Sequence, residues 1–283
     1  VISGSFTVGM LLAFIAYKNQ LTQRMTNLVN QLIDFKLLRL HLHRISDIAL
    51  HPQENNREGT IDKVNWEGKL EVKDVSFRYN PEQPYVIKNL SLTINPGESV
   101  AITGSSGSGK TTLLKLMLGL LQPSSGQIVL DGHDISKIGL SNYRKHVSAV
   151  MQEDTLLSGS IIENISFFNP QVDTEKARSC ARQACIDKEI MKMPLNYQSV
   201  VGDMGSTISG GQKQRLLLAR ALYSEPKVIF LDEATSHLDS TNEFNVNQHI
   251  KQLAITRVVI AHREETIATV DRVIPLDKFG NNR

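Results

Sequence analysis

Ser99-Val-Ala-Ile-Thr-Gly-Ser-Ser-Gly-Ser-Gly-Lys-Thr-Thr112 reads as a short buried strand, a glycine-rich turn and the opening of a helix. Gly104, Gly109, Lys110 and Thr111 fall on the G-x-x-x-x-G-K-[ST] spacing, in the strand-then-helix context that this motif demands. Its glycines let the backbone come close to an anion, and the loop's N–H groups can cradle phosphate oxygens. We therefore assign Gly104, Ser105, Ser106, Gly107, Ser108, Gly109, Lys110, Thr111 and Thr112 to a nucleotide triphosphate. Lys110 would reach the β and γ oxygens, and the Thr111 hydroxyl would ligate Mg²⁺. The plain alternative, a Gly/Ser-rich turn, does not account for the full spacing together with both flanking elements.

Two further stretches complete the chemistry. Val228-Ile-Phe-Leu-Asp-Glu233 is a buried strand whose carboxyl end delivers two acids to a nucleotide crevice. Asp232 would hold Mg²⁺, directly or through water, and Glu233 is placed to polarise the attacking water. Such a strand is common by itself; after a phosphate loop it is specific. Ile208-Ser-Gly-Gly-Gln212, followed by Lys213-Gln-Arg215 and an apolar helical run, is a second anion-capturing turn. Gly210 and Gly211 permit close approach, Ser209 offers a hydroxyl, and the helix end supplies free N–H groups.

Composition sets the background. The chain has 283 residues, 41% hydrophobic and 21% charged, with a net charge of +2. That is ordinary for a globular protein, and no basic run marks a nucleic-acid face. Cys180 and Cys185 lie five apart without ligand-spaced histidines, so they read as small packed residues in a reducing compartment. His41 and His43 flank Leu42 and fall on different helix faces.

Strands are predicted at Leu70–Phe77, Val86–Ile94, Ser99–Thr103, Gln127–Leu130, Lys227–Leu231 and Arg257–Ala261, and helices at Thr111–Leu121 and Glu175–Lys192. The alternation implies an α/β core with a mostly parallel sheet. An antiparallel β subdomain is also expected, and an inserted α-helical subdomain occupies about 153–210. Residues 51–67 are polar, with Pro and Gly, and read as a linker. Residues 1–17 are apolar, slightly short of the about 20 that a membrane span needs. Leu21, Met25, Leu28, Leu32, Phe35, Leu38 and Ile45 continue the helical spacing to about residue 50. We expect the last part of a transmembrane helix with a cytoplasmic extension over 1–50. Its polar positions Arg24, Asn27, Asn30 and Gln31 would face other helices or water. A soluble amphipathic helix is the alternative.

The ordered set of phosphate loop, Ser-Gly-Gly-Gln, Asp-Glu strand and His262 in Ile-Ala-His-Arg resembles the ATPase domain of ABC transporters over residues 68–276. The resemblance implies further roles. Tyr79, in Phe-Arg-Tyr, would stack on adenine, with Tyr85 a weaker rival. Gln152, in Val-Met-Gln-Glu, would touch Mg²⁺ and the attacking water. Asp239, in Ser-His-Leu-Asp, would cross to a partner subunit, and His262 would contact the γ-phosphate. It also implies a head-to-tail homodimer with ATP sandwiched between Lys110 of one copy and Ser209 of the other.

The order of long helix, then ATPase domain, is similar to exporters that fuse both in one chain. Phe35–Leu50 and Ala261–Ala268 are similar to bacteriocin and colicin V-type peptide exporters of Gram-negative bacteria, which carry an N-terminal cysteine peptidase. The expected place is the inner membrane, with the ATPase domain on the cytoplasmic side and the chain's own membrane domain and a peptide substrate as partners. Departures from the pattern are Ile208 for Leu, Asp203 for Glu, and Pro275 where a strand expects an N–H donor. The initial Val1 and the short end after Asp277 suggest a fragment. Rival readings are an ABC-type ATPase acting on nucleic acid, an exporter for lipid or drug substrates, and a remnant that binds nucleotide without turnover.

Overall fold

The computed structural model describes residues 7–50, 54, 56–59, 61, 65–202, 208–232, 240–261 and 263–278. It comprises two compact units, Val1–Asn55 and Asn56–Arg283, taken separately below.

The first unit is one helix, α1 (Val8–Ala49), of 42 residues. The Thr7 side chain caps it by accepting from the Met10 N–H at 3.2 Å. No helix among the described residues is long and apolar enough to cross a membrane. The reason is visible in the sequence. The described apolar stretch of α1 runs from Val8 to Tyr17 and ends at Lys18, a rise of about 15 Å where a bilayer core needs about 30 Å. The expected helix is present, and its membrane-spanning character does not follow from its described part.

The second unit is layered α/β. Strands β1 (Leu70–Phe77), β2 (Ile87–Ile94), β3 (Ser99–Thr103), β4 (Ser125–Leu130), β5 (His133–Asp134), β6 (Val147–Val150), β7 (Gly159–Ser160), β8 (Val200–Val201), β9 (Val228–Asp232), β10 (Thr256–Ile260) and β11 (Arg272–Pro275) form three sheets. An antiparallel sheet has the order β2-β1-β4-β5, and a five-stranded sheet has the order β11-β3-β10-β9-β6. Every pairing in the five-stranded sheet is parallel. β7 and β8 make a separate antiparallel pair.

Helix α2 (Lys110–Met117) follows β3. The short helices α3 (Ile135–Ile138), α4 (Leu140–Tyr143), α5 (Ile161–Ile165), α6 (Thr174–Gln183) and α7 (Asp187–Ile190) come next. The series ends with α8 (Gly210–Tyr223), α9 (Ser240–Gln252) and α10 (Glu264–Ile267).

Strand pleating explains why the parallel strands are apolar throughout. Val228 and Phe230 belong to the core shared with α2 and the antiparallel sheet. Their neighbours Ile229 and Leu231 belong to a second core, against α5, α6 and α8. Successive side chains point to opposite faces, and both faces are covered. Each fully buried Ile, Leu or Phe contributes roughly 1.5–3 kcal/mol of transfer free energy.

Some predicted boundaries move. Residues 56 and 57, expected within the linker, are bonded into the second unit: Leu140 N–H donates to the Asn56 carbonyl and Ser141 N–H to that of Arg57. Trp66 stacks on His146, with ring centroids 4.7 Å apart. The helix expected over 175–192 is broken between Gln183 and Asp187, where Cys185 takes φ +56°, a left-handed conformation that no helix continues. Pro275 closes β11 opposite Thr103 rather than breaking it. β11 is one of the sheet's two edge strands, where a proline is tolerated.

Candidate nucleotide site

The register of the parallel sheet assembles the site. Val150 pairs with Leu231, so Gln152 and Asp232 leave adjacent strands at the same carboxyl end. β10 lies between β9 and β3, with Ile260 the partner of both Asp232 and Ile102. The phosphate loop therefore emerges at that same end, where ligands of open α/β sheets bind.

The loop's backbone is shaped for an anion. Gly107 has φ +80°, and a Cβ there would meet no atom within 4 Å, so this corner faces open space. Gly109 has φ +92° and forms the N-cap of α2, with no side chain capping the helix. The first N–H groups of α2 thus point at the loop without an internal partner. A Cβ on Gly109 would come within 2.9 Å of the Val86 side chain. Lys110 is buried, and its Nζ donates to the carbonyls of Gly104 at 2.9 Å and Ser105 at 2.8 Å. Among the described residues, Ser108 Oγ is buried without a hydrogen-bond partner.

Asp232 is buried, and Thr111 Oγ1 donates to its Oδ2 at 3.1 Å. A hydroxyl and one carboxylate held together in this way suit a divalent cation that takes its remaining ligands from phosphate and water. No group of three or more His, Cys, Asp or Glu that could hold a metal ion occurs among the described residues. The chain thus presents an uncapped N–H cradle, an orphaned hydroxyl and an oxygen pair, which together fit a magnesium nucleotide.

Tyr79, Val86, Ser106, Gly107, Gly109, Lys110, Thr111, Thr112, Gln152, Asp232 and Ile260 line one cleft of about 400 Å³. That lies within the usual range for a small-ligand site. Tyr79 is half-exposed on its wall; its hydroxyl is 3.0 Å from Thr112 Oγ1, and Phe77 supports its ring edge-on at 5.0 Å. Tyr85 does not line the cleft and lies under the Arg78 guanidinium.

Ser209, Gly210, Gly211 and Gln212 are not among the residues lining the cleft. They open α8 in a capping box: Gln212 N–H donates to Ser209 Oγ, and Ser209 N–H donates to Gln212 Oε1 at 3.1 Å. Glu189 on α7 holds this turn from behind. It accepts from Gln212 Nε2 at 2.9 Å and from the buried Arg215 at 2.6 Å. Burial pushes the Glu189 carboxyl up, but hydrogen bonds from Arg215 and Gln212 outweigh it, so its pKa lies below the ordinary carboxylate value.

A second buried junction ties α8 to the segment after Gln152. Asn164, fully buried on α5, donates to the Leu157 carbonyl and accepts from the Leu157 N–H. Arg220 of α8 donates to the Asn164 side chain at 2.7 Å and to the Thr155 carbonyl at 3.2 Å. The reading from sequence did not find Glu189, Asn164 or Arg220, because nothing local distinguishes them from surface polar residues. Glu233, Asp239 and His262 lie outside the described residues.

The parallel sheet, the glycine loop and the Thr111–Asp232 pair define a P-loop nucleotide-binding domain. The family described as ABC transporter matches residues 87–236, more than half of the chain. The chain belongs to the ABC transporter family. It is 46% identical over 277 residues to the probable microcin-H47 secretion/processing ATP-binding protein MchF of Escherichia coli, and 47% identical over 278 residues to the colicin V secretion/processing ATP-binding protein CvaB of the same species. Each match takes in 98% of this chain and 40% of the relative, so the chain spans about two fifths of the relatives' length. Among solved structures, it matches a bacterial Atm1-family ABC exporter with ATP bound, at TM-score 0.77 and 28% identity. That match covers 96% of this chain and 48% of the other.

Proposed function

We propose that this chain is the ATP-binding and hydrolysing part of a bacterial ABC exporter that carries a peptide, such as a bacteriocin or toxin, across the inner membrane. The observation that carries the hydrolytic reading is the single cleft holding Lys110, Thr111, Asp232 and Gln152. The peptide substrate and the membrane location rest on the names of the secretion relatives and on the exporter neighbour. Residues 68–283 are the ATPase domain in this reading, with a helical insert at about 153–210. Residues 1–50 belong to the membrane domain and its cytoplasmic extension.

Phosphoryl transfer depends on positioning and electrostatics more than on covalent chemistry. Mg²⁺, when bound, would neutralise charge on the β and γ oxygens, held by Thr111, Asp232 and Gln152. Lys110 exchanges its carbonyl partners for phosphate oxygens. The free N–H groups of the loop and of the start of α2 hold the chain of phosphates, and Tyr79 offers a face to the base. Glu233 and His262 orient water in line with the leaving oxygen. Ser209 and the glycines beside it close over the γ-phosphate bound to another copy, and Asp239 reaches across the same interface.

The test is Glu233→Gln, assayed for MgATP binding and for phosphate release. Binding should persist while turnover falls by at least about a hundredfold. Wild-type hydrolysis by that variant would overturn the assignment. ATP-dependent transport of a lipid or drug but not of a peptide by the wild-type exporter would favour the other exporter reading.

A further inference from the structure

The parallel pairing of β11 with β3 has an effect beyond the sheet. Pro275 sits opposite Thr103, the last residue before the phosphate loop. The 3₁₀ turn Leu276–Lys278 follows, with Leu276 buried in the core as its anchor. Asp277 is thereby placed against the start of the loop. Its carboxylate accepts from the Ser105 N–H at 3.2 and 3.1 Å and from Ser105 Oγ at 2.9 Å. A Cβ on Gly104 would lie 3.3 and 3.4 Å from the two carboxylate oxygens. The backbone of Ser105 is thus held on both sides: Asp277 takes its N–H, while Lys110 donates to its carbonyl at 2.8 Å.

These two grips differ in what ATP does to them. Lys110 must give up carbonyl partners to reach phosphate. Asp277 bonds a residue that does not line the cleft, so its hold survives when Lys110 turns away. We propose that Asp277 is a positioning residue of the phosphate loop, acting through Ser105 and not by touching the nucleotide. The proposal rests on the reading that this loop binds ATP. Its sign is not trivial. A carboxylate near a triphosphate repels it, whereas a loop held in its binding shape gains affinity by losing less freedom on binding.

Asp277→Ala and Asp277→Asn, compared with wild type, separate the two effects. Calorimetry measures MgATP affinity, and steady-state hydrolysis gives KM and kcat. Asp277→Ala should weaken binding about fivefold and raise KM in step, while kcat at saturation stays within about twofold. Asp277→Asn keeps an oxygen for the Ser105 N–H and should recover most of the affinity. In a Ser105→Ala background the alanine effect should shrink, because one of the bonds is already gone. Equal affinity of wild type and Asp277→Ala would overturn the proposal, as would tighter binding by both variants, which would mean that the carboxylate only repels. Thermal melts check folding; if Asp277→Ala does not fold, the Asn and Ser105→Ala variants carry the test. A wild-type chain that binds no MgATP would instead defeat the nucleotide reading itself.

Discussion

Arg257 is wholly buried in a strand whose last three residues, Val258, Val259 and Ile260, are apolar. Its guanidinium donates to Ser99 Oγ at 2.7 Å, Asn247 Oδ1 at 2.9 Å and the Thr269 carbonyl at 3.3 Å. Burial pushes its pKa down, and Asp271 pulls it back up. One side chain thus joins β3, α9 and the chain after α10, just behind the strand that feeds the phosphate loop. Arg257→Met would leave these acceptors without a donor in a dry site. It should cost about 2–4 kcal/mol in urea unfolding, with little change in m. A loss below about 0.5 kcal/mol would show that water replaces the guanidinium. Thr-Arg-Val-Val-Ile signals a buried strand, but nothing in those five letters says that the arginine is inside it; its partners come from residues 99, 247 and 269.

At the scale of elements, α7 and α8 form one device. α8 carries the Ser-Gly-Gly-Gln turn, and α7 supplies Glu189, which fixes the turn's Gln212 and the first buried arginine of the helix. Despite its burial, the Glu189 carboxyl is held below the ordinary carboxylate range by its hydrogen bonds from Arg215 and Gln212. Because its folded pKa is depressed, its contribution is complete above the unfolded value and is lost as pH falls through the folded one. Thermal melts between pH 7 and pH 3 should therefore show wild type losing stability on acidification. Glu189→Gln should start less stable at neutral pH and lose less on the way down; parallel curves would remove Glu189 as the titrating group. The existence of α8 was legible from its glycines and apolar run. The break after α6 was not, because it turns on Cys185 at φ +56°, a left-handed conformation that a cysteine does not signal in sequence. β6 escaped the sequence reading for a related reason: four residues carry too little pattern, and only pairing with β9 makes Val147–Val150 a strand.

At the scale of the molecule, the Ser209 turn does not line its own chain's cleft, and the proposed homodimer supplies the missing half from another copy. Mixing separates this from a site complete within one chain. Lys110→Ala and Ser209→Glu should each abolish hydrolysis alone. In a head-to-tail pair of the two variants, one composite site keeps both an intact lysine and an intact serine, so the mixture should regain measurable phosphate release. No recovery at concentrations where wild type dimerises would argue against sharing. The helix of the first unit belongs to the same scale. Its described residues are exposed almost throughout.

By itself, the sequence determined the nucleotide chemistry. Phosphate capture by a glycine loop, a lysine and a hydroxyl at set spacing is local, and so is an apolar strand that ends in acids. The family followed from the order of such local motifs. The tertiary structure alone decided what holds them. Glu189 behind Gln212, Asn164 and Arg220 behind the segment after Gln152, and Asp277 against Ser105 join residues from 23 to 172 positions apart. Contacts of that separation arise from strand register and buried hydrogen bonding, which no local window of sequence contains.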